Sequence, residues 1–191
     1  MTEIKIEKKK PVWPWILLVL GLLVAVWFFF FRNDKYEPVE TADRTALIDT
    51  DENNNTVAAY VTFINADKNK MSIDHTYASE AITKLTDATD AMATEVGYDV
   101  KADIAKAKQY ADEITKNPMS TTHADKIRSS ADVLSTALQN MQQAKFPGLS
   151  TEAADVKSAA EAIDPQALTL DQRDVVKSFF SKTADLLNKM N

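Results

Sequence analysis

Cysteine is absent from the 191 residues. That excludes disulfides, thiolate metal ligands, a cysteine nucleophile, haem attached through cysteine and a lipid anchor on cysteine. Glycine is scarce: Gly21, Gly97 and Gly148 stand far apart. Phosphate-cradling loops and dinucleotide-binding turns need closely spaced glycines, so neither is encoded. Only two histidines occur, His75 and His123, and neither has a glutamate three residues before it. The Glu-x-x-His pairs of di-iron bundles and the His-Glu-x-x-His spacing of zinc proteases are therefore missing.

Positive charge is scarce in most of the chain. Residues 1–35 carry six basic and three acidic side chains, whereas residues 36–191 carry sixteen basic and twenty-five acidic ones. An acidic body repels phosphate backbones, and no basic patch with interleaved aromatics interrupts it, so nucleic acid is not an expected partner.

What the chain does have is one long apolar run. Residues 12–31 contain no charge and read Val-Trp-Pro-Trp, then a Leu/Val-rich stretch, then Trp27 and four phenylalanines. Twenty helical residues span about 30 Å, the thickness of a bilayer core. Trp13, Trp15 and Trp27 flank the run, where amphipathic rings favour the membrane interface. A cleaved signal peptide would have a shorter apolar core ending in small residues, so the run reads as an uncleaved signal-anchor. Lys5, Lys8, Lys9 and Lys10 precede it more densely than Arg32, Lys35 and Arg44 follow it, which predicts a cytoplasmic N-terminus. Gly21 and Ala25 form a small-xxx-small pair, a spacing that can bring two membrane helices together as a homodimer, and one that also arises by chance.

The sequence predicts four parts: a cytoplasmic basic tail over 1–11, a transmembrane helix over 12–31, a linker over 32–50 and an extracytoplasmic bundle over 51–191. Asn53, Asn54 and Asn55 read as a turn or capping cluster. Apolar residues then recur in steps of three and four. The successive stripes are Val57, Tyr60, Val61 and Ile64; Tyr77, Ala81, Ile82, Leu85, Ala88, Met92 and Val96; and Val100, Ile104, Ala107, Ala111 and Ile114. The fourth is Ala124, Ile127, Ala131, Leu134, Leu138 and Met141, a 3-4-3-4-3 seam of coiled-coil type. Ala153, Val156, Ala160 and Ile163 follow, and Val175, Val176, Phe179, Phe180, Leu186, Leu187 and Met190 close the series. Asp74 and Asp99 are expected N-caps, Gly97 a C-terminal cap, and Thr169 with Gln172 a capping box. Proline at 118, 147 and 165 separates the later segments. Alanine-rich helices joined by short loops should pack antiparallel. The expected fold is all-α, a single transmembrane helix followed by an up-and-down bundle of four to six helices. A disordered, stress-type chain would lack these regular apolar stripes.

Candidate chemistry is sparse. His75 follows Asp74, with Tyr77 and Glu80 near it, and His123 precedes Asp125. Up-down connectivity places both histidines at one end of the bundle, the membrane-distal end if the first body helix rises from the bilayer. His75, His123 and Asp74 are thus the metal candidates. Two dispersed histidines fall short of a ligand set, so no metal, cofactor or catalytic residue is assigned. The competing reading is a pair of exposed histidines beside capping residues. Asp87, Asp90 and Glu95 read as a solvated helix face rather than a catalytic pair. Asn54-Asn55-Thr56 matches the glycosylation acceptor pattern, which is short enough to occur by chance.

The stretch over 71–85, and within it the Asp-His-x-Tyr core of Asp74, His75 and Tyr77, resembles a segment of membrane-anchored helical proteins of Bacteroidetes-type bacteria. The resemblance covers about fifteen residues and implies a bacterial envelope protein, with no activity to carry over. The expected function is therefore not enzymatic. The chain should be a single-pass cell-membrane protein whose body, periplasmic in a Gram-negative cell, works by contact with a protein partner as scaffold, adaptor or envelope-associated module. The alternative is a ligand or metal sensor at the bundle end carrying His75 and His123. An enzyme with an unfamiliar carboxylate site would need a deep pocket and strongly shifted pKa values.

Overall fold

The computed structural model describes residues 41–66, 71, 75–117, 119–121 and 123–191, with side chains from residue 52 onward. The apolar run, Gly21, Ala25 and Asp74 lie outside the described residues. Among the described residues no helix is long and apolar enough to cross a membrane. The chain divides into two compact units, Met1–Thr45 and Ala46–Asn191. The second contains the core.

Six α-helices and no strands are formed among the described residues: α1 (Thr41–Ala66), α2 (Thr76–Glu95), α3 (Lys101–Lys116), α4 (His123–Lys145), α5 (Ser150–Glu161) and α6 (Arg173–Met190). A single 3-10 turn, Pro147–Leu149, sits where Pro147 and Gly148 end α4. The all-α reading and the helical bundle are thereby established. From α2 onward each helix packs on the next, and α2 also touches α4 and α6, which closes the bundle.

Pairs of side chains fix the directions. Ser79 at the start of α2 bonds Thr115 at the end of α3 (2.7 Å). Glu113 late in α3 meets Lys126 early in α4 (2.9 Å). Lys157 of α5 reaches Asp132 and Thr136 of α4. Glu152 at the start of α5 pairs with Lys189 at the end of α6 (2.6 Å). Neighbours in sequence therefore run antiparallel. These pairs are largely exposed and add little stability individually. The stabilisation comes from the stripes: almost every residue of the predicted apolar series is buried, with Val61, Val96 and Val175 half-buried at the edge.

Alanine is what lets the helices approach. Ala78, Ala81, Ala88, Ala107, Ala111, Ala131, Ala137, Ala153 and Ala160 all lie in the core beside Leu85, Leu134, Leu138, Phe179 and Phe180. Small residues facing large ones interdigitate, as close packing requires. Polar groups inside are satisfied locally where they can be. Thr86 and Thr89 donate to the carbonyls of Ile82 and Leu85, four residues back.

The first and last helices are joined by one buried phenol. Tyr60 donates to the Phe180 carbonyl (2.9 Å) and contacts the Thr183 hydroxyl. Burial raises its pKa well above the usual tyrosine value, so the hydroxyl stays protonated. Tyr77 extends the junction, stacked on Phe63 of α1 and edge-on to Phe180 of α6.

Several local expectations are corrected. The stretch read as a linker over 32–50 is helical from Thr41, and the three asparagines lie inside α1 rather than in a turn. Asparagine is only a modest helix former, and the Val57–Tyr60–Ile64 stripe just beyond docks the helix regardless. The N-cap position of α2 belongs to His75, in a left-handed conformation, and its side chain makes no capping bond. Thr169 and Gln172 form no capping box. Gln172 instead clasps the loop before α6, accepting from the Asp164 amide (2.8 Å) and donating to the Asp164 and Ala167 carbonyls. Loop closure wins because the loop carbonyls of Asp164 and Ala167 lie outside any helix and need donors. Gly97, with φ +63, follows α2 as expected; the N-cap position of α3 belongs to Val100 rather than Asp99, whose carboxylate nevertheless accepts from the Lys101 amide (3.1 Å).

Leu134 of α4 is fully buried, whereas Gln139 on the same helix is half-buried and lies outside the core. Leu134→Ala should cost about 2–5 kcal/mol, the transfer loss plus a residual cavity. Gln139→Ala should change stability by less than about 0.5 kcal/mol. Denaturant melts of both variants check this; equal midpoints would mean that the stripe does not face a core.

Candidate functional site

The alternation of helix directions gathers the connections after α1, α3 and α5 at one end. That end carries His75, at the entry to α2, and His123, the first residue of α4. The two imidazoles are in contact, with ring centres 4.4 Å apart and planes at 79°, so one ring presents its edge to the face of the other.

The local backbone explains how they meet. His75 has φ 57, and is the one non-glycine residue with positive φ among the described residues. Histidine tolerates this region better than most side chains, but it carries a cost of order 1 kcal/mol. The turn lets the His75 carbonyl accept the Ser79 amide (3.0 Å) as α2 begins. His123 is set by its helix. Arg128, one and a half turns further on, donates to the carbonyls of Glu161 and Ile163 at the end of α5 (2.6 and 3.0 Å) and pairs with Asp132 (2.8 Å). On the other side Lys126 bonds Glu113 of α3 and lies over the Tyr110 ring. The start of α4 is thus held between its two neighbours.

The two histidines have different surroundings. His75 is half-buried, while only 3 % of His123 is exposed. Neither ring nitrogen of His123 has a well-formed hydrogen bond, nor does the buried Oδ1 of Asp125. Burial pushes the His123 pKa below its usual value; the Asn117 backbone and the Asp125 carboxylate pull the other way without reversing it. The positive end of α4 acts in the same direction as burial. A third His, Cys, Asp or Glu does not complete a metal cluster among the described residues.

The expectation of two exposed histidines is therefore half right: His75 is partly accessible and His123 is not. Counting loops was enough to place both rings at one end. Their contact, the burial of His123 and the strained backbone at 75 left no sequence signal, because each depends on how far the end of one helix slides past another. Asp125 carried a weak signal through its spacing from His123. Asp87 and Glu95 are exposed on α2 and Asp90 is half-buried there, with Asp87 paired to Lys108 (3.5 Å).

Away from the histidines, the described residues form open depressions. A groove of about 500 Å³ runs between α1 and α2, with Ala59 and Tyr60 along it and Glu52, Lys84 and Asp87 at its margin. No protein-family model, curated protein or solved structure matches the chain.

The His123 environment predicts a pH dependence. The folded state favours the neutral ring, so below the ordinary histidine pKa of about 6.5 the unfolded chain binds more protons than the folded one. The stability contributed by the neutral ring is complete above that pH and is lost as pH falls through it toward the lower folded pKa. Thermal melts with a chelator present should show the midpoint dropping between about pH 7.5 and 5.5, above the range where carboxylates titrate. His123→Gln should flatten most of that slope. An unchanged slope in the variant would show that His123 is not the group responsible.

Proposed function

We infer that this chain is a single-pass, membrane-anchored helical bundle that works by protein contact, as a scaffold, adaptor or envelope-associated module. The apolar run over 12–31 and the lysines before it support an anchor with a cytoplasmic N-terminus and an extracytoplasmic body. The bundle supports a contact role because its helices bury one another's apolar stripes and so offer a preformed surface.

The observation that carries the reading is the groove between α1 and α2. It is open, and around Ala59 and Tyr60 it is lined by Asn55, Thr56, two carboxylates (Glu52 and Asp87) and one ammonium (Lys84). Its chemistry suits an amphipathic segment of a partner that lays an apolar side chain on the exposed Ala59, above the buried Tyr60, and sets basic ones against Glu52 and Asp87. Grooves of this shape recognise helices through side chains three and four apart.

Two experiments test this. Reporter fusions at Asn191 should be active only outside the cytoplasm, and a cytoplasmic signal would overturn the orientation. A photoreactive residue at Ala59 should give a discrete protein adduct in cells. The same residue at Ala154, exposed on α5, should not. Asp87→Lys should reduce the Ala59 adduct several-fold. Adducts equal at both positions, or absent from both, would remove the groove as the contact site.

A further inference from the structure

We propose that His75 and His123 form a two-imidazole site for a divalent ion of the late first transition series, copper, nickel or zinc, with solvent completing the coordination. Imidazole is a ligand these ions favour over magnesium, calcium and manganese.

Three observations converge on the pair. The rings touch, from helices brought together only by the fold. A neutral imidazole offers one N–H and one lone pair, and neither nitrogen of His123 has a well-formed hydrogen bond although the residue is buried, the Asn117 backbone being the polar group that influences it. Buried polar atoms without partners are uncommon enough to call for an explanation, and bound ions are one. His75 holds a strained left-handed backbone, the kind of cost that clusters at ligand sites.

The geometry is close to what an ion needs. Metal–nitrogen bonds of about 2.0–2.1 Å at a tetrahedral angle put two imidazole centres about 5 Å apart. The observed 4.4 Å calls for an outward shift of less than about 1 Å and a rotation of the rings. His75, half-buried, provides the path from solvent and the side on which water can complete the shell.

The electrostatics has two sides. Both histidines sit where a helix begins, and helix N-termini favour anions. Against an anion stand the Asp125 carboxylate beside His123, with its unpaired Oδ1, and the net charge of −6. A metal ion binds the lone pair of a neutral ring and gains directly from that carboxylate's field. The cation is thus the better-matched occupant, and two imidazoles by themselves hold it less tightly than the four ligands of a structural zinc site.

Composition makes the test clean, because the chain has two histidines and no cysteine. The full chain, without a tag and in detergent micelles, is titrated with Zn²⁺, Cu²⁺ and Mg²⁺. One Zn²⁺ or Cu²⁺ should bind per chain, Mg²⁺ should not compete, and affinity should fall as protons displace the metal at lower pH. His75→Gln and His123→Gln should each weaken Zn²⁺ binding at least tenfold, with circular dichroism confirming the fold. Should a variant fail to fold, electron paramagnetic resonance of the copper-loaded native chain decides, since two imidazoles give hyperfine splitting from two nitrogens. An oxygen-only copper signal, unchanged affinity in both variants, or no one-to-one binding would overturn the proposal. So would perturbation of both imidazoles by inorganic phosphate but not by Zn²⁺.

Discussion

The buried stripe of α4 is the surface against which the rest of the bundle is ordered. Its six apolar residues lie in the core on a helix that touches α2, α3 and α5. Dispersion and hydrophobic burial are not directional, but the alternation of alanine with leucine and isoleucine on this face is. It gives the neighbouring helices ridges and gaps of defined depth, and so a preferred seating. Short connections then leave antiparallel packing as the arrangement that needs no strained crossing.

A second constraint joins the beginning of the bundle to its end. A phenol in the core must find a partner or incur the desolvation of an unpaired hydroxyl, about 1–3 kcal/mol. Tyr60 finds the Phe180 carbonyl and the Thr183 hydroxyl, which determines where α1 lies along α6. Tyr77 stacks on Phe63 and meets Phe180 edge-on as a consequence, and the start of α2 is drawn to that junction. The histidine pair is a product of both constraints. Seating on α4 places His123, the α1–α6 junction places the entry to α2, and the left-handed turn at His75 brings its ring across the remaining distance.

The same packing explains why chemistry is confined to the edges. Carboxylates and lysines are kept on outer helix faces, where pairs such as Glu113–Lys126 and Glu152–Lys189 bridge neighbours and hold their acids below the usual carboxylate pKa through hydrogen bonds to lysine. Solvent screens such pairs, so they steer register more than they stabilise. His123 and Asp125 differ from these pairs: both carry buried polar atoms without a well-formed partner, at the point where helix ends rather than helix faces meet.

How much of this was legible depended on the range of the interaction. Helix periodicity is a local property, so the stripes led by Leu85, Ile104, Leu134 and Phe179 could be read directly, as could the turn at Gly97. Helix ends set by longer contacts could not. The three asparagines are carried into α1 by the docking of Val57 and Tyr60, and Gln172 is diverted from capping by carbonyls at Asp164 and Ala167. The sequence by itself determined an all-helical body, its core faces and the shared end of the two histidines, because each follows from spacing along one chain. Only the tertiary structure decided that the imidazoles touch, that one is buried and that Tyr60 ties α1 to α6. Those outcomes depend on shifts of a few ångströms between helices, and such shifts are set by the mutual fit of side chains that lie far apart in the sequence.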